Sequence, residues 1–362
     1  MKIAFYAPLK SPNHPVPSGD RLMARQLIQA LRQGRHEVDI ASEFRSFSAK
    51  PDALADLQAR ASHEIRRLDA EWLAGGRPDV WFCYHPYYKS PDLLGPELCR
   101  RHGVGYVTVE ASYSAKRNGQ GWREHQTIVA DALRLAAVNL CLTRRDLDGI
   151  RQSMPDANLR HLPPFIDTSA FADLVPLPKP FHLATVAMMR AGDKMSSYSA
   201  LAAGLQRIDD LPWTLSIIGD GPCRSEVEAL FSGCRPDRIV WHGQLGTEAI
   251  AACLATAALY LWPGHGEAYG LAYLEAQAAG LPVVAENTAG VPEVVANDRT
   301  GVLTLPGDAD LYAAAVSRLL SDEGKRCQMA LEARKFVLEE RSLERAARHM
   351  NTILAAYLEE SP

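Results

Sequence analysis

The sequence predicts an α/β protein with two domains, each built on a doubly wound parallel sheet. Short runs of buried-type residues alternate along the chain with helical patterns, as in sheets whose parallel strands are joined by helices. The chain has 362 residues, a length that suggests two domains. Prolines at three alternating positions, Pro176, Pro178 and Pro180, predict a stiff linker. We therefore expect domains at residues 1–175 and 181–340, followed by a C-terminal helical segment at 341–362.

Bulk composition narrows the class of protein. With 47% hydrophobic and 23% charged residues, the chain is typical of soluble globular proteins. No apolar run approaches the roughly 20 residues that span a bilayer, and the N-terminus begins with a strand pattern rather than a signal peptide. Seven cysteines without Cys-x-x-Cys spacing indicate reduced thiols. We therefore expect a cytoplasmic protein.

The net charge of −4 is unevenly distributed, because the N-terminal half is mildly basic and the C-terminal half is acidic. This asymmetry fits an anionic acceptor or an anionic membrane surface as a partner. A peripheral contact with the cytoplasmic, inner face of the membrane therefore stays open. Nucleic acid is not expected as a partner, since no basic run is interleaved with aromatic residues.

Three positions in the first half are candidates for a site at one edge of the predicted sheet. Strands are predicted at residues 2–7, 36–41, 79–84, 105–109 and 136–142. Gly19 lies between the first strand and a predicted helix at 21–33, where a backbone without a side chain can approach a ligand. His85 follows the third strand and Glu110 the fourth, so both should lie at the same edge as Gly19. A plain turn glycine and a structural histidine are the alternatives.

The second half is organised around residues 263–293, which predict a glycine-rich loop, a helix and a buried strand. On one continuous helix, Glu267 and Glu275 would be about 12 Å apart along the axis and about 80° apart around it. That geometry is poor for two carboxylates sharing one small ligand. Gly270 between them instead predicts Glu267 in the loop and Glu275 in the first turns of the helix.

The start of this helix is predicted to bind an anion. Backbone N–H groups near Gly270, Leu271 and Ala272 have no partner within the helix, and a helix N-terminus favours negative charge. Phosphate at this point would leave a hydroxylated group within reach of each carboxylate. A nucleotide sugar fits that description.

The same residues resemble a known family. Glu267 and Glu275 reproduce the Glu-x7-Glu motif, and Ala-Gly-Leu-Pro-Val-Val-Ala at 279–285 and Ala-Gly-Val-Pro-Glu at 289–293 follow in order. This pattern resembles the donor site of family 4 retaining glycosyltransferases, and the resemblance extends over nearly the whole chain. It implies the GT-B fold, in which two Rossmann-like domains face each other across a cleft. A surface helix with two unrelated glutamates is the alternative.

The resemblance also implies how the diphosphate of the donor is neutralised. The family places an Arg and a Lys after the first strand of the donor domain, and Arg190 and Lys194 match them at slightly shorter spacing. Fixed cations at this place stabilise the charge that develops on a leaving nucleoside diphosphate. Arg190, Lys194 and the helix start would take over the work of a divalent cation, so we expect no metal and no cofactor. Two surface cations in a loop are the alternative.

Further roles follow from the same resemblance. Gly19 matches a family glycine that lies under the donor phosphates, and Gly243 ends the strand beside the nucleotide base. Glu267 would bind sugar hydroxyls and Glu275 the ribose hydroxyls. The last helix, within 341–362, commonly crosses back to the N-terminal domain in this fold.

One position departs from the family. Many relatives carry a histidine near the reaction centre where Glu110 stands, so either Glu110 or His85 would make that polar contact. The resemblance implies a retaining, metal-independent glycosyltransferase of the hexosyl type, with a UDP- or GDP-linked sugar donor. Its product would belong to glycan, glycolipid or glycoconjugate biosynthesis, and the hydroxyl acceptor, lipid-linked or not, is unknown. A nucleotide-sugar epimerase or hydrolase of the same fold and a non-catalytic sugar-nucleotide binding subunit are the alternatives.

Overall fold

The computed structural model of the protein describes residues 1–16, 18–235 and 237–358. The chain divides into two units, the first made of residues 1–163 and 343–362 and the second of residues 164–342. Position 17, between the first predicted strand and Gly19, and the last four residues of the predicted segment 341–362 lie outside the described residues.

The described part of the first unit is built on a six-stranded parallel sheet. Its strands are β1 Lys2–Tyr6, β2 Glu37–Ser42, β3 Val80–Tyr84, β4 Gly105–Val109, β5 Val138–Cys141 and β6 Leu159–His161. Their order across the sheet is β2-β1-β3-β4-β5-β6. All five residues of β3 are buried, as expected for a strand covered by helices on both faces of a parallel sheet. Because the six strands are parallel, their carboxyl ends lie at one edge of the sheet.

In the described part of the first unit, one α-helix follows each of the strands β1 to β5. These helices are α1 Gly19–Gln33, α2 Leu54–Glu71, α3 Gly95–His102, α4 Arg123–Leu135 and α5 Arg144–Ser153. Side-chain oxygens fix where two of them begin: Ser18 accepts from the backbone N–H of Arg21, and Thr143 accepts from that of Asp146. These are ordinary N-caps, which satisfy backbone donors that the first helical turn leaves free.

The described part of the second unit has its own six-stranded parallel sheet, in the order β12-β11-β10-β7-β8-β9. Its strands are β7 His182–Val186, β8 Thr214–Ile218, β9 Ile239–Gly243, β10 Leu259–Leu261, β11 Val283–Glu286 and β12 Gly301–Thr304. Its helices are α6 Ser169–Ala172, α7 Asp193–Gln206, α8 Arg224–Leu230, α9 Thr247–Leu254, α10 Leu271–Ala278, α11 Ala309–Ser321 and α12 Glu323–Lys335.

The last helix, α13 Leu343–Leu358, packs within the first unit. His36, between α1 and β2, donates from Nε2 to Asn351 Oδ1 at 2.7 Å. The Asn351 amide in turn donates to the carbonyl of Gly34 at 3.1 Å. A Cβ at Gly34 would lie 2.3 Å from Asn351 Oδ1, so a larger residue here would displace the Asn351 side chain.

The division between the units falls before the proline linker. Backbone N–H groups of Leu177 and Lys179 donate to carbonyls in the second unit, at Ala255 and Thr256. The guanidinium of Arg334 donates to the carbonyls of Phe171, Ala172 and Leu174. Because these bonds attach the stretch to the second unit, the division lies at residues 163 and 164, whereas the sequence analysis placed it at 175–181.

The predicted α/β class is confirmed, and the predicted strands lie within one or two residues of the observed ones. None of the helices in the described part of the chain is long and apolar enough to span a membrane.

Candidate functional site

In the first unit, the chain turns sharply where β3 and β4 end. His85 and Glu110 have φ angles of 61° and 55°, a left-handed conformation that is uncommon for residues with a side chain. The N–H of His85 donates to the Val109 carbonyl, and that of Glu110 donates to the Leu140 carbonyl, both at 2.8 Å. Each residue thus keeps one backbone hydrogen bond to the neighbouring strand at the point where the chain leaves the sheet. Strained backbone of this kind concentrates at functional sites.

His85 is held as a cation at this edge. Its Nδ1 lies 3.1 Å from Asp20 Oδ1. Burial opposes the charge, but the nearby Glu110 carboxylate and the bond to Asp20 outweigh it and raise the pKa of His85 to about 9. Although burial also opposes ionisation of Asp20, His85 lowers the pKa of that carboxyl. At neutral pH this is therefore an imidazolium between carboxylates.

Gly19 lies at the same edge, as the first residue of α1 and next to Asp20. A Cβ at Gly19 would meet no described atom within 4 Å. The packing of the described residues therefore does not require a glycine at this position. Asp20 itself was missed by the sequence analysis, and its place in the first helical turn beside Gly19 was the available signal.

In the second unit, Glu267 lies in the loop after β10, as predicted. Its Oε1 accepts a hydrogen bond from Trp262 Nε1 at 3.0 Å and forms an ion pair with Lys194 Nζ. Lys194 belongs to the first turn of α7, and its ammonium lies 5.4 Å from the centroid of the Trp262 ring. The two side chains are mostly buried. The structure thus joins two predicted site residues that are 73 positions apart, and adds Trp262, whose role the sequence analysis missed.

Glu275 lies in α10, whose first residues are Leu271 and Ala272. Gly270 precedes the helix with a φ of 83°, and no side chain from the described residues caps the helix start. Although part of the Glu275 side chain is exposed, burial raises the pKa of its carboxyl to about 7. Within the described ranges, its oxygens have no hydrogen-bond or ion-pair partner.

Arg190 follows β7, and Gly243 is the last residue of β9. Arg190 lies between β7 and α7, where its side chain is exposed and has no partner among the residues that the structure describes. Gly243 ends β9 with a φ of 66°, and its carbonyl accepts from the N–H of Gly219 at 2.8 Å. Neither residue contacts the Lys194–Glu267 pair through a hydrogen bond or ion pair in the described part of the chain.

The described residues contain no cluster of metal-ligating side chains. Across residues 1–16, 18–235 and 237–358, no group of three or more His, Cys, Asp or Glu side chains could hold a metal ion.

Comparison with known proteins gives a family match for the second unit. Residues 182–322 match the family model described as "Glycosyl transferases group 1". A GDP-mannose-dependent alpha-(1-6)-phosphatidylinositol monomannoside mannosyltransferase of Mycobacterium tuberculosis is 31% identical over 202 residues, which are 51% of this chain and 52% of that protein. The chain thus spans about half the length of this relative. A D-inositol 3-phosphate glycosyltransferase of Xylanimonas cellulosilytica is 29% identical over 91% of this chain and 89% of its own.

The fold has solved counterparts. A sucrose-phosphate synthase from Thermosynechococcus elongatus superposes with a TM-score of 0.77 at 19% identity, and covers 99% of this chain and 100% of that one. At this level of identity the likeness concerns the fold alone. The chain has the GT-B fold, with two Rossmann-like α/β units.

Proposed function

We propose that the protein is a retaining, metal-independent glycosyltransferase of the hexosyl type, which transfers a sugar from a nucleoside-diphosphate sugar to a hydroxyl acceptor. The observation that carries the proposal is the arrangement in the second unit. A carboxylate paired with a lysine, Glu267 with Lys194, lies on the loop that leads into the uncapped start of α10, which carries Glu275. The match of residues 182–322 to a glycosyltransferase family model supports it.

Each donor group has a partner of suitable chemistry. The diphosphate would accept from the N–H groups of Gly270, Leu271 and Ala272, since the helix start offers free donors and positive partial charge. Lys194 and the exposed Arg190 would add charge-assisted bonds. Gly243 would leave its backbone open to the nucleotide base.

The two glutamates would divide the hydroxyl groups of the donor between them. Glu275 would accept from the ribose hydroxyls, which supply the hydrogen bonds that its buried carboxylate lacks among the described residues. Glu267 would accept from sugar hydroxyls with Oε2, because Oε1 is occupied by Lys194 and Trp262.

In the proposed transfer, the acceptor oxygen bonds to the anomeric carbon as the bond from that carbon to the phosphate oxygen breaks. The acceptor proton passes to the departing phosphate on the same face of the sugar, so configuration is retained without a protein nucleophile. Fixed cations and helix N–H groups stabilise the charge that builds on the phosphate. No metal or other cofactor takes part in this proposal.

The first unit would hold the acceptor at the edge that carries Gly19, His85 and Glu110. Because its pKa is about 9, His85 would donate a hydrogen bond at neutral pH rather than accept a proton. Glu110 and Asp20 would accept from other hydroxyl groups of the acceptor, and Gly19 would give a ligand close access to the backbone. The similarity to proteins named for phosphatidylinositol mannoside and inositol phosphate leaves lipid-linked and soluble acceptors as candidates.

A cytoplasmic location, with or without contact with the inner membrane face, belongs to this proposal.

The proposal is tested by incubating the purified protein with a panel of UDP- and GDP-sugars in EDTA, and measuring released nucleoside diphosphate. We expect release from one donor, loss of release in Glu267→Ala, and full release in Glu248→Ala, whose glutamate is exposed on α9. Candidate hydroxyl acceptors, glycolipids included, are then added, and the anomeric proton of the product is read by NMR.

Other outcomes identify the rival functions. Release that never yields an acceptor product would indicate a nucleotide-sugar hydrolase, and isomerised donor without release would indicate an epimerase. Donor binding without turnover under all conditions would favour a binding subunit. An inverted product would contradict retention.

A further inference from the structure

His265 occupies the middle of the glycine loop and bonds in two directions. It lies between Gly264 and Gly266, whose φ angles are 90° and 64°. Its Nε2 lies 3.0 Å from Glu286 Oε2 at the end of β11, and its Nδ1 lies 2.7 Å from Ser196 Oγ in α7. The Glu286 carboxylate is buried, with 3% of its side chain exposed. The imidazole therefore bridges two separate elements of the second unit.

One neutral tautomer satisfies these bonds. With the proton on Nε2, His265 donates to Glu286, and Nδ1 accepts from the Ser196 hydroxyl. The His265 backbone N–H donates to Ser197 Oγ at 3.0 Å, and that hydroxyl donates to the Asp193 carbonyl. Glu286 Oε2 also accepts from the N–H of Gly307 at 3.0 Å. The Glu286 and Ser197 side chains of this network are buried, whereas Ser196 is exposed. Hydrogen bonds to buried polar groups are electrostatically stronger than exposed ones and hold local geometry more firmly.

The network joins the two elements that carry the Lys194–Glu267 pair. Lys194 is two residues before Ser196 in α7, and Glu267 is two residues after His265 in the loop. Contact between loop and helix is close, because a Cβ at Gly266 would lie 2.1 Å from Asp193 Oδ2. A shift of the loop would therefore move Glu267 relative to Lys194.

We propose that His265 is a positioning residue for Glu267, acting through its Nε2–H bond to the buried Glu286. The imidazole holds the glycine loop against α7 and β11, so that the Glu267 carboxylate stays beside Lys194 and Trp262. The inference rests on the proposed function in one respect only, because the proposed function assigns Glu267 to the donor sugar.

The test compares two substitutions of His265 that keep different bonds. A glutamine can place an amide N–H near the position of Nε2 and retain the donor to Glu286, whereas an asparagine can replace only the atom at Nδ1. We expect His265→Gln to keep nucleoside diphosphate release close to that of the wild-type protein. We expect His265→Asn to lose about tenfold in kcat/KM, mostly through kcat, because a misplaced Glu267 costs more in the transition state than in donor binding.

A second readout does not depend on activity. Hydrogen exchange of peptides covering residues 262–270 should be faster in His265→Asn than in His265→Gln or the wild-type protein, while peptides from β7 and β8 exchange alike in all three. A purely structural loss would instead lower the thermal midpoint and speed exchange across the sheet.

These outcomes separate the two proposals. If the wild-type protein releases nothing from any donor while the loop still exchanges faster in the asparagine variant, the proposed function fails and the positioning inference stands. The positioning inference is wrong if both variants match the wild-type protein in loop exchange. It is also wrong if both variants lose the same factor in kcat/KM and the same protection of the loop from hydrogen exchange.

Discussion

The Glu275 carboxyl is an ionisable group placed where the folded protein disfavours its charge. Burial raises its pKa to about 7, above an ordinary glutamate, so the folded state binds more protons than the unfolded state between roughly pH 4.5 and 7. The free energy of unfolding therefore falls as pH rises through this window. A buried carboxyl that lowers the free energy of unfolding when it ionises is expected to bind a ligand.

Glu275→Gln should accordingly stabilise the protein and weaken donor binding. We expect the unfolding free energy at pH 8 to rise by on the order of 2 kcal/mol, with little change at pH 5, because the neutral amide avoids the buried charge. Urea unfolding at both values measures this, and calorimetric titration with the preferred nucleotide sugar measures affinity. A variant that binds the donor as tightly as the wild-type protein would remove Glu275 from the ribose site.

His85 also has a raised pKa, but here the folded protein favours the charged form instead of disfavouring it. Its folded pKa of about 9 is above the unfolded value, so its stabilisation is complete below about pH 6.5 and is lost as pH rises through 9. We expect an NMR titration of the ring to give an apparent pKa near 9, and Asp20→Asn to lower it. The unfolding free energy of His85→Gln should vary less than that of the wild-type protein between pH 6.5 and 9. A ring that titrates near 6.5 would contradict the cationic cluster.

A glycine lies at the start of α1 and another precedes α10, and the two differ in backbone conformation and in close neighbours. Gly270 has a φ of 83°, and a Cβ there would lie 2.7 Å from Tyr273 Cδ2, so its conformation explains the residue. Gly19 has neither a positive φ nor a close neighbour among the described residues. What remains to explain Gly19 is the approach of a ligand.

Gly19→Ala should therefore leave the fold intact and reduce activity. Alanine is a better helix former than glycine, so we expect an unchanged or slightly higher thermal midpoint, together with at least a tenfold loss of transfer. Gly119→Ala is the matched control, since a Cβ at that position also meets nothing described within 4 Å. Equal activity of the two variants would assign Gly19 to an ordinary helix start.

Much of this arrangement could be predicted from the sequence, because it depends on local patterns. Hydrophobic periodicity and glycine positions predicted most of the strands, the loop that carries Glu267 and the helix that carries Glu275, but not β6. Side-chain partners could not be predicted, since they join positions far apart in the chain: Asp20 with His85, and Lys194 with Glu267. The left-handed backbone at His85 and Glu110 could not be predicted either, because neither residue type by itself indicates a positive φ angle.

For the whole molecule, the chain path determines which residues stabilise which unit. The C-terminal helix α13 is separated from α1 by more than 300 positions in sequence, yet both belong to the first unit. The Asn351 side chain bridges them through His36 and the Gly34 carbonyl. Residues of α13 thus contribute to the stability of the start of the chain.

Asn351→Ala should consequently weaken the first unit and spare the second. Loss of two partly buried hydrogen bonds predicts a cost of about 1–2 kcal/mol, read as faster hydrogen exchange in peptides from α1 and α13. Peptides from α10 and β11 should exchange as in the wild-type protein, because no hydrogen bond of Asn351 reaches the second unit in the described part of the chain. Thr352→Ala, on the exposed face of α13, is the control and should change neither set. Uniformly faster exchange in both units of Asn351→Ala would mean that they unfold together, and the separate stability argued here would be wrong.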